Sequence, residues 1–326
     1  MKTLFLAAGL AVAAAAPASA AEVVMRFAHQ LPPAHHIAQL VESWAADIEK
    51  RSNNRIDVQV LGAAQAFQPN QYHPVVARGQ IESAMVVNFQ WGSLIPETNV
   101  TLIPYYFTDL EKIKKFPGSP VAALLERKML EKGVRNIAWF YTTRQSIFTS
   151  SNRPLIKPED FKGTKIRGLN KLVDNSLLAV GAAPSALPGS EVYQGLQTKV
   201  IDAGLTDISA AYSRKYYEVQ SFGTVTPFFT VYFHAFVNPA WYDKLPAKLK
   251  KAIADASAKA ETDAIALTEK TAADAVTQLR DKGMKLHIHT PAEIAALKAV
   301  MQKPVMDAFL AESKDGKEIL DLLGKL

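Results

Sequence analysis

From Leu245 to Leu279 the chain is dominated by Ala, Lys, Glu and Leu, with no Gly and no Pro beyond Pro246 at its start. Residues of that kind favour helix. At 1.5 Å per residue such a rod is about 50 Å long. That is too long to sit inside one lobe of an α/β protein, so the run predicts a helix bridging a two-lobed body. Two shorter helices with an unmarked break remain the competing reading of the same residues.

The length agrees with two lobes. A chain of 326 residues, 48% hydrophobic, has material for more than one core. It contains no cysteine, which excludes disulfides, thiolate chemistry and a lipoprotein anchor. The formal charge of +6 at pH 7 is modest, and no Lys/Arg block resembles a nucleic-acid-binding tail. A basic balance favours anionic solutes only weakly, and ordinary variation in surface charge accounts for it equally well. The first 20 residues, MKTLFLAAGLAVAAAAPASA, join a basic start at Lys2 to an apolar run and a small-x-small site at Ala18-Ser19-Ala20. They read as a secretory leader, residues 1–20, cleaved after Ala20. No later stretch approaches 18 consecutive apolar residues, so no membrane span is expected.

The mature chain opens as strand, helix, strand. Val23 to His29 is extended. Ile37, Leu40, Val41, Trp44 and Ile48 then recur at helical spacing, and Ile56, Val58 and Val60 alternate on one strand face. This βαβ opening implies an α/β lobe. Gln30 lies in the loop after the first strand, with His29 before it and His35 and His36 beyond. Open α/β sheets bind ligands at such strand ends. A buried strand at Ala84 to Phe89 delivers Asn88, Gln90 and Trp91 to another loop; an amide beside an indole lines pockets, and also fills ordinary cores.

The strand Val134 to Tyr141 leads to Arg144, and 23 residues later Arg167 sits near the end of the short strand Thr164 to Gly168. A guanidinium on a rigid strand can hold a carboxylate through two parallel bonds; a surface salt bridge is the plainer use. Gly168 points to a close backbone approach or a sharp bend. Two arginines brought to one cleft would make a strong anion site, but spacing does not show that they meet. Asp207, after the strand ending at Leu205, can accept bonds from ligand hydroxyls or cap the following helix. Ser190 is expected to cap a helix that packs through Tyr193, Leu196 and Val200. TPFFTVYFHAFVN, Thr226 to Asn238, reads as one long strand crossing both sheets, and Pro291 to Ala299 and Val305 to Leu326 as separate terminal helices.

Competing chemistries find little support. There is no GxSxG elbow, HExxH helix or cysteine nucleophile for a secreted hydrolase. His35-His36 is awkward as a shared metal site on a helix, and His287-x-His289 could face one side of a strand and bind a metal weakly. Packed or exposed histidines are the plainer reading, so no metal and no cofactor is expected.

The segments MRFAHQLPPAHH, RQSIFTSSNRPLIKPEDFKGTKIRG and GAAPSALPGSEVYQGLQTKVIDAG resemble the DctP-like solute-binding proteins of TRAP transporters, over essentially the whole mature chain. The resemblance implies two α/β lobes joined by crossing strands and bridged by a long C-terminal helix, with ligand in the cleft between them. It implies lobe I at residues 21–147 with about 230–273, and lobe II at 148–229 with about 274–326. It makes Arg167 the clamp for a ligand carboxylate and Arg144 a second basic contact. Asn88, Gln90, Asp207 and Gln30 become candidate polar contacts, and Trp91 and Phe140 candidate walls that exclude water. It further implies a periplasmic monomer, not an enzyme, that delivers a small organic acid to TRAP membrane permease subunits. A sensory carboxylate-binding protein with the same pocket is the alternative. Asp207 stands near the place where the family often has an amide, and Lys199 and Ala203 stand where glycines are frequent.

Overall fold

The computed structural model describes residues 21–326; the leader reading falls on residues 1–20, outside that range. The opening unit is β1 (Val23–Ala28), α1 (His36–Arg51) and β2 (Ile56–Leu61). Strands β1 and β2 pair in parallel from Val23 opposite Ile56. The five apolar positions of α1 are all buried, as their spacing requires. The helix starts where the His35 imidazole accepts a bond from the Ile37 N–H, an uncommon side chain for a cap.

The chain continues through α2 (Tyr72–Ala77), β3 (Ser83–Val87), α3 (Leu110–Lys114), α4 (Pro120–Glu131) and β4 (Arg135–Thr143). Asp109 and Ser119 cap α3 and α4, and Pro120 takes the first helical position, where its missing N–H costs nothing. At Arg144 and Gln145 the chain leaves the first sheet and enters β5 (Ser146–Ser150) of a second. That sheet gains β6 (Lys165–Gly168), and α5 (Lys171–Ala179) leads to the edge strand β7 (Ala183–Ala186). Then follow α6 (Val192–Gln197), β8 (Ala203–Asp207), α7 (Ile208–Ser213) and β9 (Phe222–Thr226).

The expected single strand at 226–238 is two. Pro227 has no N–H to give a sheet ladder. Strand β9 therefore ends in the second sheet, and β10 (Val231–Val237) begins in the first, with Phe228 and Phe229 buried at the changeover. The first sheet has the order β2-β1-β3-β10-β4, with β10 antiparallel to both neighbours. A short α8 (Pro239–Lys244) precedes the long helix, and the second sheet runs β11-β9-β5-β8-β6-β7, with β11 at Lys285–Ile288. The fold is thus two α/β lobes, with the chain passing between them at the two sheet changeovers and again along the long helix.

The bridging rod is one unbroken helix, α9 (Ala247–Asp281), of 35 residues. Its first half gives Leu249, Ile253, Ala256 and Ala260 to the larger core, and its end gives Ala272, Ala275 and Leu279 to the smaller. Small residues let the helix lie close to the first lobe, where Ser257 accepts from the Trp44 indole at 3.2 Å and Thr268 donates to the Tyr141 carbonyl at 2.8 Å.

Two further expectations are corrected. Residues 291–312 form a single helix, α10 (Pro291–Glu312), running through Pro304. The buried stripe Leu297, Met301, Val305 and Phe309, packed toward α5, holds it together despite the lost N–H. A final α11 (Gly316–Gly324) returns toward α4. Ser190 does not cap α6, whose N-cap is Glu191 without a side-chain bond, and Val200 is exposed.

Candidate functional site

Between the lobes lies a cleft, open in part to solvent, that encloses a cavity of about 40 Å³. The first lobe lines it with Gln30 and His35 from the loop after β1, Phe89 beyond β3, and Phe233 of β10. The second lobe contributes Arg167 of β6, Asp207 at the end of β8, Arg214 beyond α7, and Gly189. Phe229, at the changeover between sheets, closes the wall.

Arg167 is 3% exposed. Its Nε donates to the Leu187 carbonyl at 3.1 Å and one terminal nitrogen to the Leu205 carbonyl at 2.8 Å. The guanidinium carbon lies 5.6 Å from the centre of the Phe89 ring, within cation–π range. Two of five N–H donors are spent on carbonyls, which leaves three. Burial, the largest cause, and the nearby Arg214 charge bring its pKa down to about 10, so it stays cationic at neutral pH.

Arg214 was not among the residues read from the sequence. Its Nε has no hydrogen-bond partner within the protein. It fits because residue 189 is glycine: a Cβ there would stand 2.8 Å from the Arg214 guanidinium carbon. No motif marks either residue, and only the meeting of the α7 end with the loop after β7 reveals them.

Asp207 takes up one of the roles its position allows, the helix cap, and leaves its second oxygen free. One oxygen, Oδ1, accepts the Ser209 N–H at 2.8 Å and caps α7. The other, Oδ2, has no hydrogen-bond partner and lies 3.6 Å from His35 Nε2, across the cleft. Burial is the main force raising the Asp207 pKa, against the pull of nearby positive groups. Burial holds His35 and His36 neutral, pushing the first well below the ordinary imidazole range and the second to about 3.

The ligand atoms of His35, His36 and Asp207 lie within 4.8 Å of one another, the one such group among the described residues. The protonation pattern opposes metal binding. His35 Nδ1 accepts from the Ile37 N–H at 3.1 Å, so a neutral ring carries its proton on Nε2, the atom facing Asp207. Ligation there would need that proton moved to Nδ1, breaking the cap of α1. His287, in the other histidine pair, is 2.9 Å from Glu293.

The remaining expected site residues divide. Gln30 reaches the cavity, 3% exposed, and its Oε1 has no partner. Arg144 does not reach it. Its guanidinium pairs with Glu269 of α9 at 2.8 Å and donates to the Thr108 carbonyl, tying the sheet changeover to the bridging helix. Asn88 turns inward, donating to Thr101 at 2.9 Å. Gln90 and Trp91 line a separate pocket beside His73, with the indole 4.7 Å from that imidazole ring. Phe140 is fully buried, 5.8 Å from the Trp44 ring, and fills core.

Two lobes joined by crossing strands, with a charged and aromatic-walled cavity between them, define an extracytoplasmic solute-binding protein. The model of the DctP family, "Bacterial extracellular solute-binding protein, family 7", matches residues 27–312, and the chain belongs to that family. It is 29% identical over 304 residues to the C4-dicarboxylate-binding periplasmic protein DctP of Rhodobacter capsulatus, covering 92% of this chain and 90% of that one. A TRAP periplasmic solute-binding protein of Desulfovibrio salexigens with bound orotic acid superposes with a TM-score of 0.87 at 24% identity, over 93% of this chain and 97% of the other. One from Shewanella oneidensis with bound succinate gives 0.85 at 25% identity, over 92% and 98%. The chain is accordingly a bacterial extracellular solute-binding protein of that family. No described helix is long and apolar enough to cross a membrane.

Proposed function

We propose that this protein is a monomeric periplasmic receptor that holds a carboxylate on Arg167 and Arg214 and presents it to the membrane permease subunits. The observation that carries the reading is a pair of guanidinium groups, from β6 and from the end of α7, facing one interlobe cavity. The Arg214 charge lowers the affinity of Arg167 for its proton, so the two guanidinium groups repel across the cavity. A carboxylate relieves that repulsion and takes up the free donors of both forks. The two carbonyls that hold Arg167 limit the entropy lost on binding. Phe89, Phe229 and Phe233 keep water away, which strengthens the charge contacts.

The family resemblance supports Arg167 as the clamp, and the leader-like segment 1–20 supports the periplasm. Succinate, orotic acid and C4-dicarboxylates, named for the relatives, share the carboxylate this site is built to hold. The changes of sheet at 144–145 and 227–230 support a first lobe of 21–147 with about 230–273 and a second of 148–229 with about 274–326. Turnover is not part of the reading, since this is a family of transport binding proteins.

Native mass spectrometry of freshly purified mature protein, followed by denaturing release, tests the reading directly, with a stoichiometric organic acid as the expected result. Calorimetry with the released acid on Arg167→Met should then show a loss of roughly 2–5 kcal/mol, the cost of truncating a buried charged pair. Unchanged affinity would sink the clamp.

A further inference from the structure

We propose that the Asp207 end of the cavity selects a hydroxy monocarboxylic acid and rejects diacids; the inference rests on the carboxylate reading above and names its substrate class. Asp207 Oδ2 comes from the second lobe and His35 Nε2 from the first, and the 3.6 Å between them is too long for a hydrogen bond. Both side chains are shielded from water, at 1% exposure for His35 and 8% for Asp207. The cap bond to Ile37 fixes the proton of the neutral His35 ring on Nε2. The cleft therefore presents one donor and one charged acceptor side by side, unbonded to each other. A hydroxyl satisfies both at once, because its O–H donates to Asp207 while its oxygen accepts from His35. The buried Gln30 Oε1, also without a partner, offers a further acceptor on the same side of the cavity.

Charge points the same way. Arg167 and Arg214 are cationic, Asp207 supplies one negative charge, and burial keeps His35 neutral. Burial works against ionisation of Asp207, and with that carboxylate ionised the four lining groups carry a net charge of about +1. One ligand carboxylate neutralises it. A second carboxylate would leave excess negative charge out of water and set an anion against Asp207 Oδ2. An amino acid zwitterion satisfies Asp207 but leaves the surplus positive charge uncompensated. An acid without a hydroxyl leaves buried polar atoms unpaired, which is the stronger form of discrimination.

Two matched ligand sets test this by calorimetry on the mature protein. One is 2-, 3- and 4-hydroxybutyrate against butyrate, 4-aminobutyrate and succinate. The other is mandelate against phenylacetate and phenylsuccinate, to suit the aromatic wall. The expected result is one hydroxy acid binding at least tenfold more tightly than the unsubstituted acid and the diacid of its set. Asp207→Asn keeps the cap of α7, since Asn is as good an N-cap as Asp, and removes the charge. It should lower the hydroxy-acid preference over the diacid by tenfold or more. Diacids binding at least as tightly as every hydroxy acid, or a preference unmoved in Asp207→Asn, would overturn the inference while leaving the carboxylate reading standing. Failure of every carboxylate to bind would overturn both.

Discussion

Gly168→Ala isolates one consequence of how the arginine strand meets the following helix. The backbone of Gly168 is not in the left-handed region, so alanine meets no torsional objection. The obstacle is space. A Cβ at residue 168 would lie 2.7 Å from both Cγ and Oδ1 of Asp174. That carboxyl group cannot yield cheaply, because Oδ1 accepts the Leu169 N–H at 2.7 Å and the residue is buried. Burial already raises its pKa to about 6. Displacing it forfeits a hydrogen bond to a charged acceptor, about 1.5–3 kcal/mol, and forces local repacking worth about 1–3 kcal/mol. The stiffer unfolded chain returns less than about 1 kcal/mol. A net loss of roughly 2–5 kcal/mol should lower Tm by roughly 4–10 °C, at about 2 °C per kcal/mol for a chain of this size. Thermal denaturation at pH 7 of Gly168→Ala, Asp174→Ala and the double variant measures it. The double variant should be little worse than Asp174→Ala, since truncating the carboxylate removes the clash. A Tm for Gly168→Ala within 2 °C of the parent, or strict additivity in the double variant, would refute the steric argument.

Gly189→Ala should behave in the opposite way. Its Cβ meets only the far end of the Arg214 side chain, which can swing aside, so stability should change by less than about 1 kcal/mol while carboxylate affinity falls about tenfold or more; equal affinity by calorimetry would remove Arg214 from the site. Arg144→Met breaks the bond to Glu269 and should cost about 1–2 kcal/mol of stability with ligand affinity unchanged, read by denaturant melts and calorimetry. Glu261 is pushed up to about 7, chiefly by burial, so the parent gains stability from its protonation below that pH and loses it as pH rises through 7. Glu261→Gln lacks this loss, and the amide oxygen can still accept the Trp139 N–H. Relative to the parent the variant should therefore gain about 2–3 kcal/mol between pH 5 and pH 8; a pH-independent difference in denaturant melts would contradict it.

Where one residue's neighbours are its own chain neighbours, the sequence was a sufficient guide. The apolar stripe of α1 and the Pro-free course of α9 both follow from local spacing and backbone preference. Gly168 marked a close approach before the approaching group, Asp174, could be named. Strand patterning also put Arg167 and Asp207 at strand ends, where cavities of α/β sheets form. Arg144 shows the limit. Its place just past a strand end resembles that of a ligand arginine, yet Glu269, 125 residues away, takes its charge. Pro304 shows another, because a stripe packed on α5 outweighs a broken backbone bond.

The sequence alone pointed to the opening βαβ unit, to two α/β lobes and to a run long enough to bridge them, while the break at Pro227 and the unbroken course of α9 and α10 came from the structure. The former depend on periodicity and propensity, which act over a few residues. Tertiary structure decided which charges are free to meet a ligand. Arg214 faces the cavity only because Gly189 makes room for it, and His35 comes to stand opposite Asp207 only when two lobes meet across a cleft. A charge acts on whatever lies within a few ångströms, whatever the distance along the chain, so the binding site is written in contacts between segments that no local pattern records.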